Sequence, residues 1–492
     1  MFPHSADGGA TIPRAARPAF LTSSLALVMI ALMASELVYL YTGSELVGAA
    51  VRVLVIAIPL VALMLRRLKA REFYLLGVAV LLTAAALAAN IEAAVYAQAL
   101  DRAGFLAAFI LLMGILREGA VTSPAVGQCG LYLTRQTPRR RFLAVFTGSH
   151  LFSVLINLGA LSLLAPIIQR GVRQGGSLTE PLDEIGAVRE RRQLCAALRG
   201  FSWFLVWAPT AVTQAVLPVL LPGIDASRLI LLGLGLAAIM LAVSWLEDIL
   251  RWLPYRRALM RRGALPKVEA MAFPARAFLD LALICSVLFA LTLILKFLGG
   301  VSLVAGVMLA APVTLTVWLF AQHGYKTGQG LTATLGRLKQ IGFNDVPGGV
   351  RETCSLAAAG YIGSMAAWLI PVDLPILLAL QDLPAWLFLS SLSVAVLLGG
   401  QVALSPITMA VFLGSLVATL PAAPASPTLM ALAIAAGTAI CTLGAPFASG
   451  TLMLARASGH SGITLAWRWN GSYTILVTAV LIAVFYGLTG GR

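Results

Sequence analysis

The chain has 492 residues, of which 60% are hydrophobic and only 11% are charged. Soluble domains carry roughly 25% charged residues, so this composition excludes a soluble globular protein and indicates a polytopic membrane protein. Lys and Arg outnumber Asp and Glu by 35 to 20. These basic residues lie in short runs between apolar segments, where they orient helices in a bilayer and do not indicate nucleic-acid binding.

Eleven apolar segments are predicted to cross a bilayer, which takes about 20 residues each; the fourth, 103–117, is shorter than this. Lys and Arg concentrate in cytoplasmic loops, and this rule is met when the N-terminal tail 1–19 is cytoplasmic. The sequence therefore predicts a multi-pass protein of a bacterial inner membrane. The predicted spanning helices are 20–42, 46–65, 73–97, 103–117, 200–222, 228–250, 277–298, 302–322, 353–371, 428–455 and 471–490.

Residues 142–168 are apolar and long enough to span, yet both of their flanks are basic. Arg135 and residues 139–141 precede the segment, and Arg170 and Arg173 follow it. A single crossing would place one basic cluster on the wrong side of the membrane. We therefore predict a re-entrant hairpin that enters from the cytoplasm, turns near 157–159 and leaves on the same side.

A second anomaly covers residues 384–420, which are too many for one helix. The segment is interrupted by Gly399-Gly400 and by Ser405-Pro406. No Lys or Arg occurs between Arg351 and Arg456, so the charge rule does not orient it. It forms either a second hairpin, opening outward, or two closely joined full helices; we favour the hairpin.

The order of elements predicts an all-α fold with about 11 transmembrane helices and two re-entrant hairpins in an inverted-topology repeat. Opposed repeats with interrupted helices are the architecture of many secondary transporters. The predicted parts are an extra helix in 20–45, a first repeat 46–250 (hairpin 142–168, broken helix 200–222), a basic cytoplasmic linker 251–276 and a second repeat 277–492 (hairpin 384–420, broken helix 428–455).

Each hairpin is followed by a helix that contains an Ala-Pro pair, at Pro209 and at Pro446. Proline in a helix frees a carbonyl and breaks the helix, and such breaks at mid-membrane bind substrates and ions. Alternatively, these are kinked helices whose freed carbonyls are satisfied by neighbouring Ser or Thr. The candidate binding residues at the breaks are Trp207, Pro209, Thr210 and Gln214 on one side and Thr442, Pro446, Ser449 and Thr451 on the other.

The hairpin tips supply further candidates, among which His150 is the only histidine in an apolar segment. A histidine titrates near physiological pH and could couple protons, although it could equally be a hydrogen-bonded packing residue. Few charged residues fall inside the predicted helices, so we expect a nearly charge-free core that recognises its ligand through hydroxyls, amides and helix dipoles. The tip candidates are Ser149, His150 and Asn157 in the first hairpin and Gln401, Ser405 and Thr408 in the second.

This layout resembles the ion transporter superfamily, which includes the citrate-transporter-like and divalent-anion:sodium symporter families. The resemblance implies 11 helices, two opposed hairpins, an elevator-like motion and a homodimer. Divalent-anion members carry Ser-Asn-Thr at each tip, whereas this chain has Ser149-His150 with Asn157, and Ser405-Pro406-Ile407-Thr408. Proline in the breaks that follow the hairpins is a further point of likeness.

We therefore expect a secondary active transporter, not an enzyme, which moves a small organic anion such as a carboxylate together with H⁺ or Na⁺. The bilayer and the solute are the expected partners, no nucleic acid is expected, and neither a metal spacing nor a nucleotide-binding motif indicates another cofactor. Two alternatives remain open. One is a membrane enzyme or lipid-carrier handler of envelope polysaccharide with His150 as base; the other is a scaffold with a dry core.

Overall fold

The computed structural model describes residues 19–491 except 139, 174–180, 263–270, 324–329, 372–373 and 375–378. Most of the predicted tail 1–19, part of the predicted linker 251–276 and one arginine of the hairpin flank (139) lie outside the described residues. Within the described part the secondary structure is helical and no strand is present, as the sequence predicted.

The helices are numbered here in chain order. Two π-helical turns, 341–345 and 464–469, and a 3₁₀ turn, 346–349, join some of them. The helices are α1 Ala19–Thr42, α2 Glu45–Met64, α3 Ala70–Ala88, α4 Ala93–Val121, α5 Pro124–Thr134, α6 Arg141–Ile156, α7 Gly159–Val172, α8 Glu184–Phe204, α9 Val212–Leu220, α10 Ala226–Arg261, α11 Ala275–Gly299, α12 Leu303–His323, α13 Gly330–Gln340, α14 Val350–Leu369, α15 Ala385–Gln401, α16 Pro406–Ala418, α17 Pro427–Gly444, α18 Ser449–Ser458 and α19 Asn470–Thr489.

Among the described residues, nine helical segments are long and apolar enough to cross a membrane. Outer helices point large apolar side chains away from the protein, such as Leu46 at 83% and Leu298 at 84% exposure. In water such surfaces would be costly, so they are lipid-facing. The predicted passes 200–222 and 353–371 are not among the nine, and the count of eleven stays a prediction.

One predicted boundary is wrong. The sequence placed a loop at 98–102, between helices 73–97 and 103–117, because Asp101 and Arg102 interrupt the apolar run. The chain instead turns at 89–92, and α4 continues unbroken through both charges. The charges are tolerated because each has a partner: Asp101 accepts from Arg52 Nε at 2.7 Å, and Arg102 donates to the hydroxyls of Ser364 and Ser415. Helices α5 and α13 lie within regions predicted as loops.

Both anomalous segments form pairs of short helices joined by tight turns. Helices α6 and α7 have 16 and 14 residues, and α15 and α16 have 17 and 13. None is long enough to cross a bilayer alone. The first turn is at Asn157, with φ 48°, and the second includes Ala403, with φ 66°. The re-entrant placement of these pairs in a membrane stays a prediction.

The two halves of the chain repeat one set of helix contacts. Helix α6 packs along α8, and α15 packs along α17 in the same way. Glycines allow these close approaches: a Cβ on Gly200 would lie 2.2 Å from the Phe146 carbonyl oxygen, and one on Gly437 would lie 2.9 Å from the Ser393 carbonyl oxygen. Across the halves, α9 contacts α16 and α18 contacts α7, while α8 and α17 meet at the centre. These contacts bring both turns and both helix breaks together.

Candidate functional site

Helix breaks follow both helix pairs, between α8 and α9 and between α17 and α18. Pro209 and Pro446 have no N–H to donate to the carbonyl four residues earlier, which is that of Leu205 in one break and Thr442 in the other. A threonine replaces the missing donor each time. Thr213 Oγ1 donates to the Leu205 carbonyl at 2.8 Å, and Thr451 Oγ1 donates to the Thr442 carbonyl at 2.5 Å.

Amide side chains satisfy further carbonyls at the breaks. Asn157 Nδ2, at the first turn, donates to the Thr210 carbonyl at 3.3 Å, and Gln214 Nε2 donates to the Val206 carbonyl at 2.7 Å. In the second half, Gln401 Nε2 donates to the Gly444 carbonyl at 3.1 Å. Protein side chains therefore occupy these carbonyls, as the kinked-helix alternative anticipates, and they are not free cation ligands.

A cavity of about 200 Å³ lies where the two turns and the two breaks meet. Four helices begin at its wall: α7 after Leu158, α16 after Ser405, α9 at Val212 and α18 at Ser449. A helix N-terminus presents unpaired N–H groups and a partial positive charge. Four such ends around one small cavity make it suited to an anion.

Charged residues line one end of this cavity. Arg71, Arg351 and Arg456 are present together with Glu72 and Glu352. Arg351 Nε donates to Glu72 at 3.1 Å, and no ion pair within 4 Å involves Arg71 or Arg456 in the described part of the chain. The expected charge-free core does not fit this cavity. The sequence placed these arginines in loops or at helix ends, and only the packing of α3, α14 and α18 brings them together.

Seven of the predicted site residues line cavities, but they line two different ones. Asn157, Ser405, Thr442 and Ser449 line the cavity between the turns. Trp207, Pro209 and Gln214 instead line a second cavity of about 490 Å³, which also includes residues from α1, α4 and the 296–304 region. The first break therefore forms a wall between two cavities.

The remaining candidates position other groups or are buried in packing. Ser149 Oγ donates to the Ala197 carbonyl at 2.7 Å, and Gln401 also accepts from Trp467. The buried hydroxyls of Thr210 and Thr408 have no hydrogen-bond partner among the described residues. Thr451 occupies the freed carbonyl described above, and the Pro446 backbone contacts Gly462 closely.

His150 lies between two neighbours and has both ring nitrogens engaged. Trp207 Nε1 donates to its Nε2 at 2.9 Å, and its Nδ1 lies 3.0 Å from the Gly200 carbonyl oxygen. Because an indole can only donate, Nε2 accepts and Nδ1 carries the proton. This bond joins His150 and Trp207 edge to edge, with ring centroids 5.8 Å apart, and links the first hairpin to the broken helix. In the described part of the chain, no group of three or more His, Cys, Asp or Glu could hold a metal ion.

No protein-family model matches the chain, and no curated protein matches it significantly. Among solved structures, it is similar to the YdaH transporter of Alcanivorax borkumensis, whose crystal structure is reported to have an unusual topology. The TM-score is 0.47 at 16% identity, over 78% of this chain and 86% of that one. A likeness at this level assigns neither a family nor a substrate.

Proposed function

We propose that the protein is a secondary active transporter of a small organic anion and that the cavity between the two turns is its binding site. One observation carries this proposal. Both turns and both helix breaks, contributed by the two halves of the chain, line a single cavity together with three arginines. Discontinuous helices around a central site between repeats are the arrangement found in many secondary transporters.

The electrostatics of the cavity support an anionic solute. Four helix N-termini, which carry a partial positive charge, lie at its wall, and its lining contains three arginines against two glutamates. One arginine is balanced by Glu72, while Arg71 and Arg456 remain available to a ligand. At about 200 Å³, the cavity suits a small solute, since drug-sized ligands occupy roughly 300–1,000 Å³. A carboxylate is the simplest ligand of this charge and size.

The positions of the cavities support alternating access. With the N-terminus cytoplasmic, the arginine-lined end of the binding cavity opens inward, and the larger cavity behind Trp207 and Pro209 lies toward the outside. The helix pairs α6–α7 and α15–α16, with their broken helices, would move together against a scaffold of 46–117 and 277–371. The elevator-like motion, the coupling ion (H⁺ or Na⁺) and the homodimer stay predictions, as does the placement in an inner membrane.

The two alternatives gain no support from a particular contact. A catalytic role for His150 would require breaking its bond from Trp207 or its bond to Gly200. A dry core would favour a scaffold, whereas the central cavity is lined by hydroxyl, amide and guanidinium groups.

Uptake by the purified protein in proteoliposomes tests the proposal. A panel of radiolabelled mono-, di- and tricarboxylates would be supplied under imposed proton and sodium gradients. We expect saturable uptake of at least one, lost in Asn157→Ala and in Ser405→Ala. Ser391→Ala is the matched control, because its hydroxyl bonds to Phe388 within α15 and does not line the cavity. Normal uptake in both tip variants would refute the site.

Cysteine accessibility provides a test that does not depend on knowing the solute. In a Cys-less background, we expect Asn157→Cys and Ser405→Cys to react with a membrane-impermeant thiol reagent, with rates that change with the driving gradient. Labelling from the cytoplasmic side at one tip and from the outside at the other would indicate opposed hairpins. Complete protection of both positions under every gradient would contradict a water-accessible transport site.

A further inference from the structure

A third cavity, of about 360 Å³, lies away from the proposed transport site, among α6, α8 and the last turns of α10. Its polar lining consists of Arg141, Arg189, Arg192, Gln193, Asp248, Tyr255 and Arg256, and apolar residues, most of them from α10, complete it. The transport proposal does not use this cavity. Its basic residues belong to the regions whose charge places them on the cytoplasmic side.

The charges in this cavity are not balanced. Arg192 forms an ion pair with Asp248, Nη2 to Oδ2 at 2.5 Å. Within the described residues, neither Arg141 nor Arg189 lies within 4 Å of a carboxylate. Arg141 is only 8% exposed; its Nε donates to the Gln136 carbonyl at 2.9 Å, while its Nη2 has no partner. The cavity therefore holds buried positive charge without a counter-ion from the described chain.

Further polar groups at the same cavity also lack hydrogen-bond partners. Gln193 is 1% exposed, and neither its Nε2 nor its Oε1 has a hydrogen-bond partner in the described structure. The same is true of Arg189 Nε and Tyr255 Oη. Leaving such a group buried and unpaired costs free energy. Arginine and amide N–H groups require acceptors, whereas Gln193 Oε1 requires a donor, so a fitting ligand carries an anionic group and a hydrogen-bond donor. Because the arginines of the cavity repel an ammonium, that donor is a neutral hydroxyl.

The opposite wall of the cavity opens toward the lipid. Trp245 and Ile249 line it and are 43% and 41% exposed, and both belong to α10, a candidate membrane span. Trp252 also lines it, and tryptophan favours the membrane–water interface. A ligand here therefore has an anionic head among arginines and an apolar portion that continues along α10 into the hydrocarbon.

We propose that this cavity binds an anionic phospholipid whose phosphate carries a hydroxylated headgroup of the glycerol type. The phosphate lies between Arg141 and Arg189, a headgroup hydroxyl donates to Gln193 Oε1, and the acyl chains follow Trp245 and Ile249. Basic pockets between helices on the cytoplasmic side are a general feature of anionic-lipid recognition. This inference stands apart from the transport proposal, because it rests on a different cavity.

Native mass spectrometry of the full-length protein tests the proposal. The protein would be purified in detergent with equal amounts of phosphatidylglycerol and phosphatidylethanolamine. We expect the wild type to retain more phosphatidylglycerol, and this preference to fall about fivefold in Arg141→Gln and to be lost in Gln193→Leu. Arg140→Gln is the matched control: it removes one charge next to Arg141 at the start of α6, but Arg140 is exposed and does not line the cavity. If wild type and Gln193→Leu showed the same preference for phosphatidylglycerol over phosphatidylethanolamine, the proposal would be overturned.

Thermal melting separates a lipid ligand from a folding defect and from a free phosphate ester. Gln193→Leu removes two unpaired buried atoms at nearly constant size, so its melting temperature without lipid should equal or exceed that of the wild type. Its upward shift on adding phosphatidylglycerol should be lost. A shift of the wild type by glycerol 1-phosphate equal to that by the lipid would overturn the lipid assignment. A Gln193→Leu protein that melts lower than wild type without lipid, yet still responds to it, would also overturn it.

Discussion

The first hairpin with its broken helix, α6–α9, and the second, α15–α18, are built alike where the hairpin meets the helix. Ser149 Oγ donates to the Ala197 carbonyl at 2.7 Å, and Ser393 Oγ donates to the Ala433 carbonyl at 2.7 Å. Each contact lies beside a glycine that permits the close approach. A threonine replaces the proline's missing donor in each break. These shared contacts hold each hairpin to its own broken helix.

The two units differ at their tips. The first turns within two residues, whereas the second turns over 402–405 and caps α16 with Ser405. Each places one amide on its own break, Asn157 in the first and Gln401 in the second. Arginines flank the first hairpin in sequence, whereas no Lys or Arg occurs between Arg351 and Arg456 around the second. The serine and threonine contacts are therefore structural, whereas the turn residues Asn157 and Ser405 line the cavity. Of these features, only the tips can contact the solute and determine which solute binds.

The glycine contacts give the largest expected effect on stability. Gly200→Ala would place Cβ 2.2 Å from a backbone oxygen, and Gly437→Ala would place it 2.9 Å from one. Since no side-chain rotation relieves a clash with backbone, both should destabilise the fold, by about 1–3 kcal/mol, with Gly200→Ala at the upper end. Thermal melting in detergent measures this. Gly235→Ala is the control, because a Cβ there contacts nothing within 4 Å. Equal melting temperatures of all three variants would show that the fold does not depend on these two close helix contacts.

The threonines at the breaks come next, and here the two halves should respond unequally. Thr451→Val leaves the Thr442 carbonyl without its side-chain donor, at a cost of about 2 kcal/mol. Thr213→Val should cost about half as much, because Gln214 Nε2 also lies 3.4 Å from the Leu205 carbonyl. Chemical or thermal denaturation of both variants measures the ratio of their losses in the free energy of unfolding. A larger loss for Thr213→Val would mean that the glutamine does not share this carbonyl.

The sequence predicted the elements whose signals are local. Both proline breaks and both pairs of short helices lie where Pro209, Pro446 and the interrupted apolar runs place them, because proline and chain length act on their immediate neighbours. The boundary near Asp101 was misplaced for the opposite reason. A charge inside a helix is tolerated when a distant partner neutralises it, as Arg52 does here, and the apolar pattern of one segment does not contain that information.

The candidate site was only partly predictable, because its residues come from distant parts of the chain. Asn157 and Ser405 were identified from the turns and do line one cavity. Arg71, Arg351 and Arg456 lie in predicted loops, where their charge indicates topology, and no local pattern indicates that they converge. Ser393 was missed although it is the counterpart of Ser149. A strict alignment of the two hairpins against their broken helices could have found it.

The smallest expected effect tests whether Ser149 is structural or binds the solute. The Ala197 and Ala433 carbonyls lie within helices and keep their backbone partners, so Ser149→Ala and Ser393→Ala each remove one hydrogen bond without leaving an unpaired acceptor. Each should cost about 1 kcal/mol, and the two costs should agree. Ser149 is fully buried and does not line the central cavity, so Ser149→Ala should leave the KM for uptake unchanged. A raised KM with an unchanged melting temperature would place Ser149 in the binding site. Ser149 and Ser393 would then have different roles in the two hairpins.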